Sequence, residues 1–270
     1  NHGAQLLCHS LSSFALDQSS LHGPARACEN KVFLASANKI GSLISKEQIP
    51  QQDIAPEYLV GVGQSQIVAP NGKVLAKLTH NVEGFIFADI DMSKCSSQTN
   101  SNSNRCRPDG TEFLSQRRPE LYQQLTLPIS QASQHAEENS VPVTANVAIF
   151  ATYKSNEQAI EDVCHYIENN LSDIIQLPEL FFVDDKTSTH NHDQRTQIES
   201  LSKRLIAQVS STLRPFQYLC TSLIIEGRHQ AVLISEHGLL ATQQQLHFCK
   251  RYQWTDLGDE INIIEIPLEQ

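Results

Sequence analysis

The sequence predicts an α/β fold, an αββα four-layer sandwich in which two sheets lie between layers of helices. Apolar runs with the composition of strands alternate with segments of helical apolar spacing. One order of elements (strand, helix, strand, hairpin) occurs twice, and the hairpins at residues 65–78 and 231–244 are offset by 166 residues. A sheet with helices on one face needs a second sheet on the other, which predicts the sandwich. The large repeated unit argues against a solenoid.

The first half of the chain is predicted to contain five strands and one helix. In order, they are a strand at 5–9, a helix after Asp17, and strands at 32–38, 65–70, 73–78 and 84–90. Asp17 is expected to cap the helix, with Leu21 on its apolar face. Asn71-Gly72 lies between two apolar runs, which is the strongest short signal for a hairpin. Residues 92–112 have no apolar period and predict a long exposed loop.

The second half repeats this order with an additional strand and helix in front. In order, the prediction is a strand at 143–151, a helix from Ser155, a strand at 172–177, a helix at 193–209, a strand at 216–225 and the hairpin at 231–244. Ser155 and Gln158 have the spacing of a capping box. Pro178 has no amide proton for a sheet ladder, so the strand before it is expected to end near Leu177.

A polar stretch without periodicity separates the two halves at residues 126–141. Its composition is typical of a linker. We therefore expect one domain at residues 1–125 and a second at 142–270.

The amino-acid composition argues against several classes of protein. With 40% hydrophobic residues the chain is expected to be globular and not membrane-spanning. Its 20 Lys and Arg against 30 Asp and Glu argue against nucleic acid as a partner. The seven cysteines form no CxxC pair, which favours a reducing, cytoplasmic location. Because the sequence starts without Met or a signal segment, we expect the chain to be cut at its N-terminus.

Glu179 is the leading candidate for a catalytic group. It follows an apolar strand, and ligands of α/β proteins bind outside the carboxyl ends of strands. A carboxylate held among Leu177, Leu180, Phe181 and Phe182 would have its ionised form disfavoured, which suits a general base. The alternative is a surface glutamate that simply follows a buried strand.

Five pieces of the sequence resemble the nitrilase superfamily of carbon–nitrogen hydrolases. Three in the first half are similar to the family's C-terminal half and two in the second to its N-terminal half, at residues 25–41, 63–72, 117–122, 177–182 and 254–259. The resemblance implies an αββα sandwich of the nitrilase type that often dimerises. It also implies hydrolysis of an amide, carbamoyl or nitrile group through a cysteine, a glutamate and a lysine, without cofactor or metal.

The order of the halves is permuted relative to that family. We expect the end of one domain followed by the beginning of a second, from a tandem protein, and a circular permutant is the alternative. The resemblance assigns Glu179 as general base and places Gln245 at the lysine position. A neutral amide cannot supply that lysine's charge, and Lys250 would need a shift of register to replace it. The nucleophilic cysteine is expected outside this chain.

Other candidates are weaker. Cys8 beside His9, and Cys249 beside Lys250, have the residue types of an activated thiol, but structural thiols are the competing interpretation. Cys28, Cys164 and Cys220 are expected in the core. His190 and His192, with nearby aspartates, have metal-ligand types in a segment that is otherwise expected to be a solvated loop.

Two classes of function follow. In the first, the complete protein hydrolyses a carbon–nitrogen bond of a small molecule, while this chain alone is inactive. In the second, the domain carrying Gln245 is a non-catalytic binding or dimerisation module. As partners we expect a small amide, carbamoyl or nitrile substrate, and either a homo-oligomer or a tandem-domain pairing. The two halves are expected to pack together, with Glu179 facing the strand that ends at Cys8.

Overall fold

The computed structural model describes residues 4–45, 47–51, 53–95, 116–126, 144–249 and 252–268. The chain divides into two compact units, Asn1–Leu114 and Ser115–Gln270. Each unit contains its own sheet and helices, which confirms the predicted α/β class. The predicted linker at 126–141 lies, apart from its first residue, outside the described residues. The domain boundaries and the four-layer arrangement therefore stay predictions.

The first unit is built on a four-stranded sheet of order β1-β2-β5-β6, with β3 and β4 as a separate antiparallel pair. Its elements are β1 (Leu6–Leu11), α1 (Gly23–Asn30), β2 (Phe33–Asn38), β3 (Ile40–Ser42), β4 (Val60–Val62), β5 (Gln66–Val68) and β6 (Val74–Lys77). Strands β1 and β2 are parallel, and α1 connects them. Ala27 of α1 packs on Leu34 and Val68 in a small buried cluster. This contact fixes the helix against the sheet.

Three expectations for the first unit are confirmed and two are wrong. The strands at 5–9 and 32–38 and the hairpin at Asn71-Gly72 are present. Asp17 makes no capping hydrogen bond, because a π-helical turn at Gln18–His22 precedes α1 and leaves Leu21 60% exposed. Residues 84–90 pair with no described strand, and Phe85 and Phe87 are more than 80% exposed. An apolar run predicts a strand, but it cannot provide the neighbouring strand with which to pair.

The second unit is built on a five-stranded sheet of order β11-β10-β9-β8-β7. Its elements are β7 (Val147–Ile149), α2 (Asn156–Asn169), β8 (Ile174–Glu179), α3 (His192–Thr212), β9 (Tyr218–Ile225), β10 (Arg228–Ser235) and β11 (Gly238–Gln244). The sheet and both helices share one hydrophobic core, in which Ile160, Val163, Ile175, Leu205 and Leu219 are completely buried. No described helix has the length and apolar character to span a bilayer.

Two local predictions fail in the second unit. Ser155 precedes α2 without a side-chain cap, whereas Asn191 caps α3 by accepting from the amides of Asp193 and Gln194. Strand β8 does not stop at Leu177 but continues through Pro178 to Glu179. The ladder with β9 shifts register between Gln176 and Glu179, so the proline lies at an irregularity where its missing amide proton does no harm.

The predicted repeat is confirmed in the strand pairing. In the first unit β1 and β2 are parallel and the next two pairs are antiparallel. In the second unit β8 and β9 are parallel and the next two pairs are antiparallel. Each hairpin carries a register shift, between Ile67 and Val68 in one and between Leu233 and Ile234 in the other. These positions have the same 166-residue offset as the sequences.

Candidate functional site

Glu179 lies at the end of β8, opposite Ser222 on β9. Immediately after it the backbone turns sharply, because Leu180 adopts a φ of +45° and its amide donates to Ser222 Oγ at 3.2 Å. A left-handed conformation at a non-glycine residue costs free energy and is held here by its surroundings. The turn sends Leu180 and Phe182 into the core and leaves the Glu179 side chain 45% exposed.

Polar groups, rather than the four predicted apolar side chains, surround the Glu179 carboxylate. The Tyr252 hydroxyl donates to Oε2 at 3.0 Å, and His229 Nε2 lies 3.6 Å from Oε1. The expectation of an apolar enclosure is therefore wrong. Glu179 follows a register shift at the end of its strand. Its side chain therefore points away from the core, whereas its neighbours in sequence fill that core.

His229, on β10, is the buried centre of the site, with 4% of its surface exposed. Its Nδ1 lies 2.9 Å from Gln245 Oε1, and its Nε2 lies 3.0 Å from Ser222 Oγ. Gln245 Nε2 donates to the His247 carbonyl at 2.7 Å, so its oxygen faces the imidazole. This arrangement assigns the proton of the neutral ring to Nδ1, and Nε2 then accepts from the Ser222 hydroxyl.

Gln245 is held by its backbone as well as by its side chain. Its amide donates to the His229 carbonyl at 3.1 Å, and its carbonyl accepts from Gly258 at 2.9 Å. Glu179 and Gln245, the two residues selected from the sequence, thus contact the same imidazole. Lys250, the alternative cation, lies outside the described residues.

Sequence reasoning missed His229. Its signal was its position on β10, a strand in which His229 and the four residues Val232–Ser235 are all buried. A histidine at an inward position of a hairpin strand must find hydrogen-bond partners inside the protein. That requirement would have directed attention to the polar residues on the neighbouring strands.

Aromatic side chains cover one side of the imidazole. The rings of Tyr252 and Trp254 have centroids 4.5 and 6.3 Å from that of His229, and the Arg195 guanidinium lies 5.2 Å from the Trp254 ring. Thr255 accepts the His229 amide at 2.9 Å. The segment after β11 therefore excludes water from His229 while its Tyr252 reaches the carboxylate.

The 117–122 motif contributes to the same region of the second unit. Arg118 donates to the carbonyls of Leu246 and Gly258, which flank the backbone bonds of Gln245. Tyr122 stacks on His247 with ring centroids 5.9 Å apart. The motif thus fixes the segment that positions Gln245.

The cysteines differ in environment. Cys8 lies on the exposed strand β1, and Cys28, Cys164 and Cys220 are partly buried. Burial raises the pKa of the Cys164 and Cys220 thiols, which disfavours the thiolate that a nucleophile requires. Cys249 is partly buried and packs against the core of the second unit.

His190 and His192 lie at the start of α3 on the surface. His192 Nδ1 is 3.7 Å from Asp193 Oδ1, and both side chains are more than 80% exposed. Among the described residues, no three His, Cys, Asp or Glu side chains form a group that could hold a metal ion.

Comparisons with known proteins find a family similarity in the first part of the chain. A family model described as carbon-nitrogen hydrolase matches residues 1–99. No curated protein matches significantly. Solved structures with local similarity include a carbon-nitrogen hydrolase from Helicobacter pylori G27, with 17% identity, TM-score 0.36 and coverage of 43% of this chain and 45% of that one.

Two further solved structures show similarity of the same extent. An amidase from Nesterenkonia sp. has 16% identity and TM-score 0.35 over 43% of this chain and 49% of its own. A glutamine-dependent NAD+ synthetase from Acinetobacter baumannii has 13% identity and TM-score 0.37 over 45% and 25%. The chain spans less than half the length of each of these proteins. Residues 1–99, which are less than half of the chain, are thus similar to the carbon-nitrogen hydrolase family.

Proposed function

We propose that the complete protein hydrolyses a carbon–nitrogen bond other than a peptide bond in a small amide, carbamoyl or nitrile substrate. Glu179 acts as the general base. The observation that carries this proposal is the position of its carboxylate, half exposed at the end of β8 and held there by Tyr252 and His229. The family match of residues 1–99 supports the reaction class.

Two contacts that orient the Glu179 carboxylate support this role. The Tyr252 hydroxyl donates to Oε2 at 3.0 Å, and His229 Nε2 lies 3.6 Å from Oε1. With an amide or carbamoyl substrate, Oε1 would take the proton of a thiol while the sulfur attacks the carbonyl carbon, and would pass that proton to the amine as the carbon–nitrogen bond breaks. The thioester left on the sulfur would then be hydrolysed by a water molecule that Oε1 deprotonates, which releases the acid and restores the thiol. With a nitrile, the proton would pass to the nitrogen of a thioimidate, which water hydrolyses in turn.

The thiol is proposed to come from outside residues 1–270. Burial raises the pKa of Cys164 and Cys220, and Cys8 lies on an exposed strand of the first unit. The raised pKa disfavours the thiolate of Cys164 and Cys220. We therefore expect this chain alone to show no turnover with simple amides, carbamoyl compounds or nitriles. Turnover that disappeared in Cys8→Ala would contradict this assignment.

Gln245 is proposed to act through His229, because it cannot supply the positive charge of the family's lysine. Its oxygen lies 2.9 Å from His229 Nδ1 and would orient the ring, whose Nε2 lies 3.6 Å from Glu179 Oε1. Gln245 is thus a positioning residue.

The test is an activity assay on the complete protein with Glu179→Gln and the matched control Glu161→Gln. Glu161 is an exposed residue of α2, so its substitution leaves the site intact. We expect Glu179→Gln to reduce kcat by about 100-fold or more, as is usual when a general base is removed. Equal turnover of the two variants would refute the role of Glu179.

A second candidate function is a non-catalytic binding or dimerisation module in the second unit. It is favoured by Gln245, because a neutral amide cannot supply the positive charge of the family's lysine and its NH₂ group already donates to the His247 carbonyl. In that case neither Glu179→Gln nor Gln245→Lys would change turnover. A change of at least tenfold in either variant would exclude the non-catalytic alternative.

A further inference from the structure

Ser222, on β9, has a hydroxyl that the proposed function does not use. Its Oγ lies 3.0 Å from His229 Nε2, and His229 Nδ1 lies 2.9 Å from Gln245 Oε1. A hydroxyl, an imidazole and an oxygen acceptor thus follow one another at hydrogen-bond distance. Serine hydrolases on unrelated folds activate their nucleophile with this order of groups, which is recognised by geometry rather than by sequence position.

The strand register brings the three residues together. His229 on β10 pairs with Ile224 on β9, and Ser222 lies two residues from Ile224 on the same face of the strand. Diagonal neighbours of this kind are within reach of a long side chain. Gln245 directly follows β11, and its amide donates to the His229 carbonyl at 3.1 Å. The order of the three groups is therefore fixed by the sheet.

The hydrogen bonds leave the Ser222 proton for the imidazole. The Leu180 amide donates to Ser222 Oγ at 3.2 Å, so this bond occupies a lone pair of the hydroxyl and not its proton. The Gln245 oxygen faces Nδ1, because its Nε2 donates to the His247 carbonyl. In the neutral ring His229 Nε2 is then the unprotonated nitrogen, and it can take the hydroxyl proton when Oγ attacks a substrate.

Ser222 lies where solvent reaches the sheet. It is partly exposed, whereas its neighbours Thr221 and Leu223 are buried. Ser222 is also in register with Glu179, whose side chain is 45% exposed. Residues in register on adjacent strands project to the same face, so a small acyl group that reaches the carboxylate also reaches the hydroxyl.

A negative charge lies beside the ring. The Gln245 amide is neutral, whereas the acceptor in a serine-hydrolase triad is most often a carboxylate. Glu179 Oε1 lies 3.6 Å from His229 Nε2, and a carboxylate at that distance stabilises the imidazolium that forms when Nε2 takes the proton. Gln245 thus orients the ring, and Glu179 supplies the charge.

We propose that Ser222 is the nucleophile of an esterase activity, with His229 as its general base and a small activated ester as the substrate. Oγ bonds to the acyl carbon while its proton passes to Nε2, and the bond to the leaving alcohol breaks as that alcohol takes the proton. Water then attacks the acyl-serine, again through Nε2, which releases the acid and restores the hydroxyl. This activity does not rest on the proposed function, because it uses no thiol and no residue outside this chain.

The experiment measures the release of p-nitrophenol from p-nitrophenyl acetate by the full chain, and mass spectrometry locates the acetyl group. The second probe is phenylmethanesulfonyl fluoride, which forms a stable sulfonyl ester with an activated serine as fluoride leaves. The variants are Ser222→Ala and His229→Gln. Ser211→Ala is the matched control, because Ser211 is an exposed serine near the end of α3 whose hydroxyl donates to the Gln208 carbonyl.

We expect Ser222→Ala and His229→Gln to slow nitrophenol release by about 100-fold or more, which is the scale of general-base catalysis, and Ser211→Ala to leave it unchanged. Sulfonylation should occur at Ser222 in the unmodified chain. The proposal is overturned by equal rates for Ser222→Ala and Ser211→Ala, by acetyl or sulfonyl groups confined to other residues, or by an unmodified chain that does not react.

Ser222→Cys distinguishes loss of the nucleophile from a folding defect, because the thiol keeps the position of the hydroxyl. We expect iodoacetamide to modify the new thiol about tenfold more slowly when His229→Gln is added, since an adjacent imidazole favours the thiolate. Equal rates with and without His229→Gln would show that the ring does not activate this position, and the proposal would fail.

Gln245 is a positioning residue for this activity. Gln245→Leu removes the acceptor of His229 Nδ1 and should slow nitrophenol release about tenfold, while Gln245→Glu keeps an oxygen there and should restore the rate. An equal loss in both variants would contradict this role. The test of Glu179 as a general base uses amide substrates and the complete protein, so either proposal can fail without the other.

Discussion

The two units share one pattern of strand pairing but carry different chemistry at equivalent positions. Aligning their ladders places Ser10 opposite Ala37 where the second unit has Glu179 opposite Ser222. At the 166-residue offset, the counterpart of His229 is Gly63. The acid, the hydroxyl and the imidazole of the candidate site are therefore features of the second unit alone. Equivalent scaffolds do not imply equivalent sites.

The first unit in turn carries lysines at positions where the second unit has apolar side chains. Lys31 aligns with Phe216, and both have a left-handed backbone with φ of +54° and +61°. Lys73 aligns with Leu239, so the second unit has apolar side chains at the positions of these two lysines. The same backbone geometry carries a cation in one unit and an aromatic ring in the other.

The largest difference expected between the units concerns stability. Ile175 on β8 is completely buried, whereas its counterpart Leu7 on β1 is 42% exposed. We expect Ile175→Ala to lower the free energy of unfolding by about 3–4 kcal/mol, because it leaves a cavity, and Leu7→Ala to lower it by less than about 1 kcal/mol. Denaturant unfolding of both variants measures the two losses of free energy. Equal losses would show that the two strands are equally buried in solution.

A somewhat smaller loss is expected from the polar network. His229→Ala removes a hydrogen-bond partner from each of the partly buried side chains Ser222 and Gln245 and empties a buried position, which costs about 2–3 kcal/mol. His237, 88% exposed in the β10–β11 turn, provides the matched control, and His237→Ala should change stability by less than about 0.5 kcal/mol. Similar unfolding midpoints for the two variants would contradict the network.

One cysteine from each unit should differ in its rate of modification by about tenfold. Burial raises the pKa of Cys220 and shields it, while Cys8 lies on an exposed strand. We expect iodoacetamide to modify Cys8 at least about tenfold faster than Cys220 at pH 8, and the rate for Cys220 to keep rising at higher pH, because its thiolate forms later. Mass spectrometry of the native chain measures both rates. Faster modification of Cys220 would contradict its burial.

The smallest effect tests the two helix starts of the second unit. Asn191→Ala removes the side chain that caps α3 and should cost about 1 kcal/mol. Ser155→Ala should be nearly neutral, because Ser155 makes no capping bond to α2. A thermal unfolding comparison decides between them. A larger loss for Ser155→Ala would restore the capping box that the sequence predicted.

The sequence predicted the repeat and the position of Glu179 because both rest on local signals. Apolar periodicity and Asn71-Gly72 specify strands and a turn within a few residues. The failures depend on neighbours that no local pattern specifies. Residues 84–90 pair with no strand among the described residues, and Pro178 is tolerated because β8 shifts register there. His229 was missed for the same reason, since its partners lie on β9 and after β11.

The measurement that tests the site most directly is nitrogen NMR of His229 at pH 8, which shows which ring nitrogen carries the proton. With Nδ1 hydrogen-bonded to the Gln245 oxygen and Nε2 accepting from Ser222, the neutral ring is expected to carry its proton on Nδ1. The Nδ1 and Nε2 shifts should then be those of a protonated and an unprotonated nitrogen, and Gln245→Leu should remove this preference. A proton on Nε2 in the unmodified chain would contradict the network that joins Glu179, His229 and Gln245.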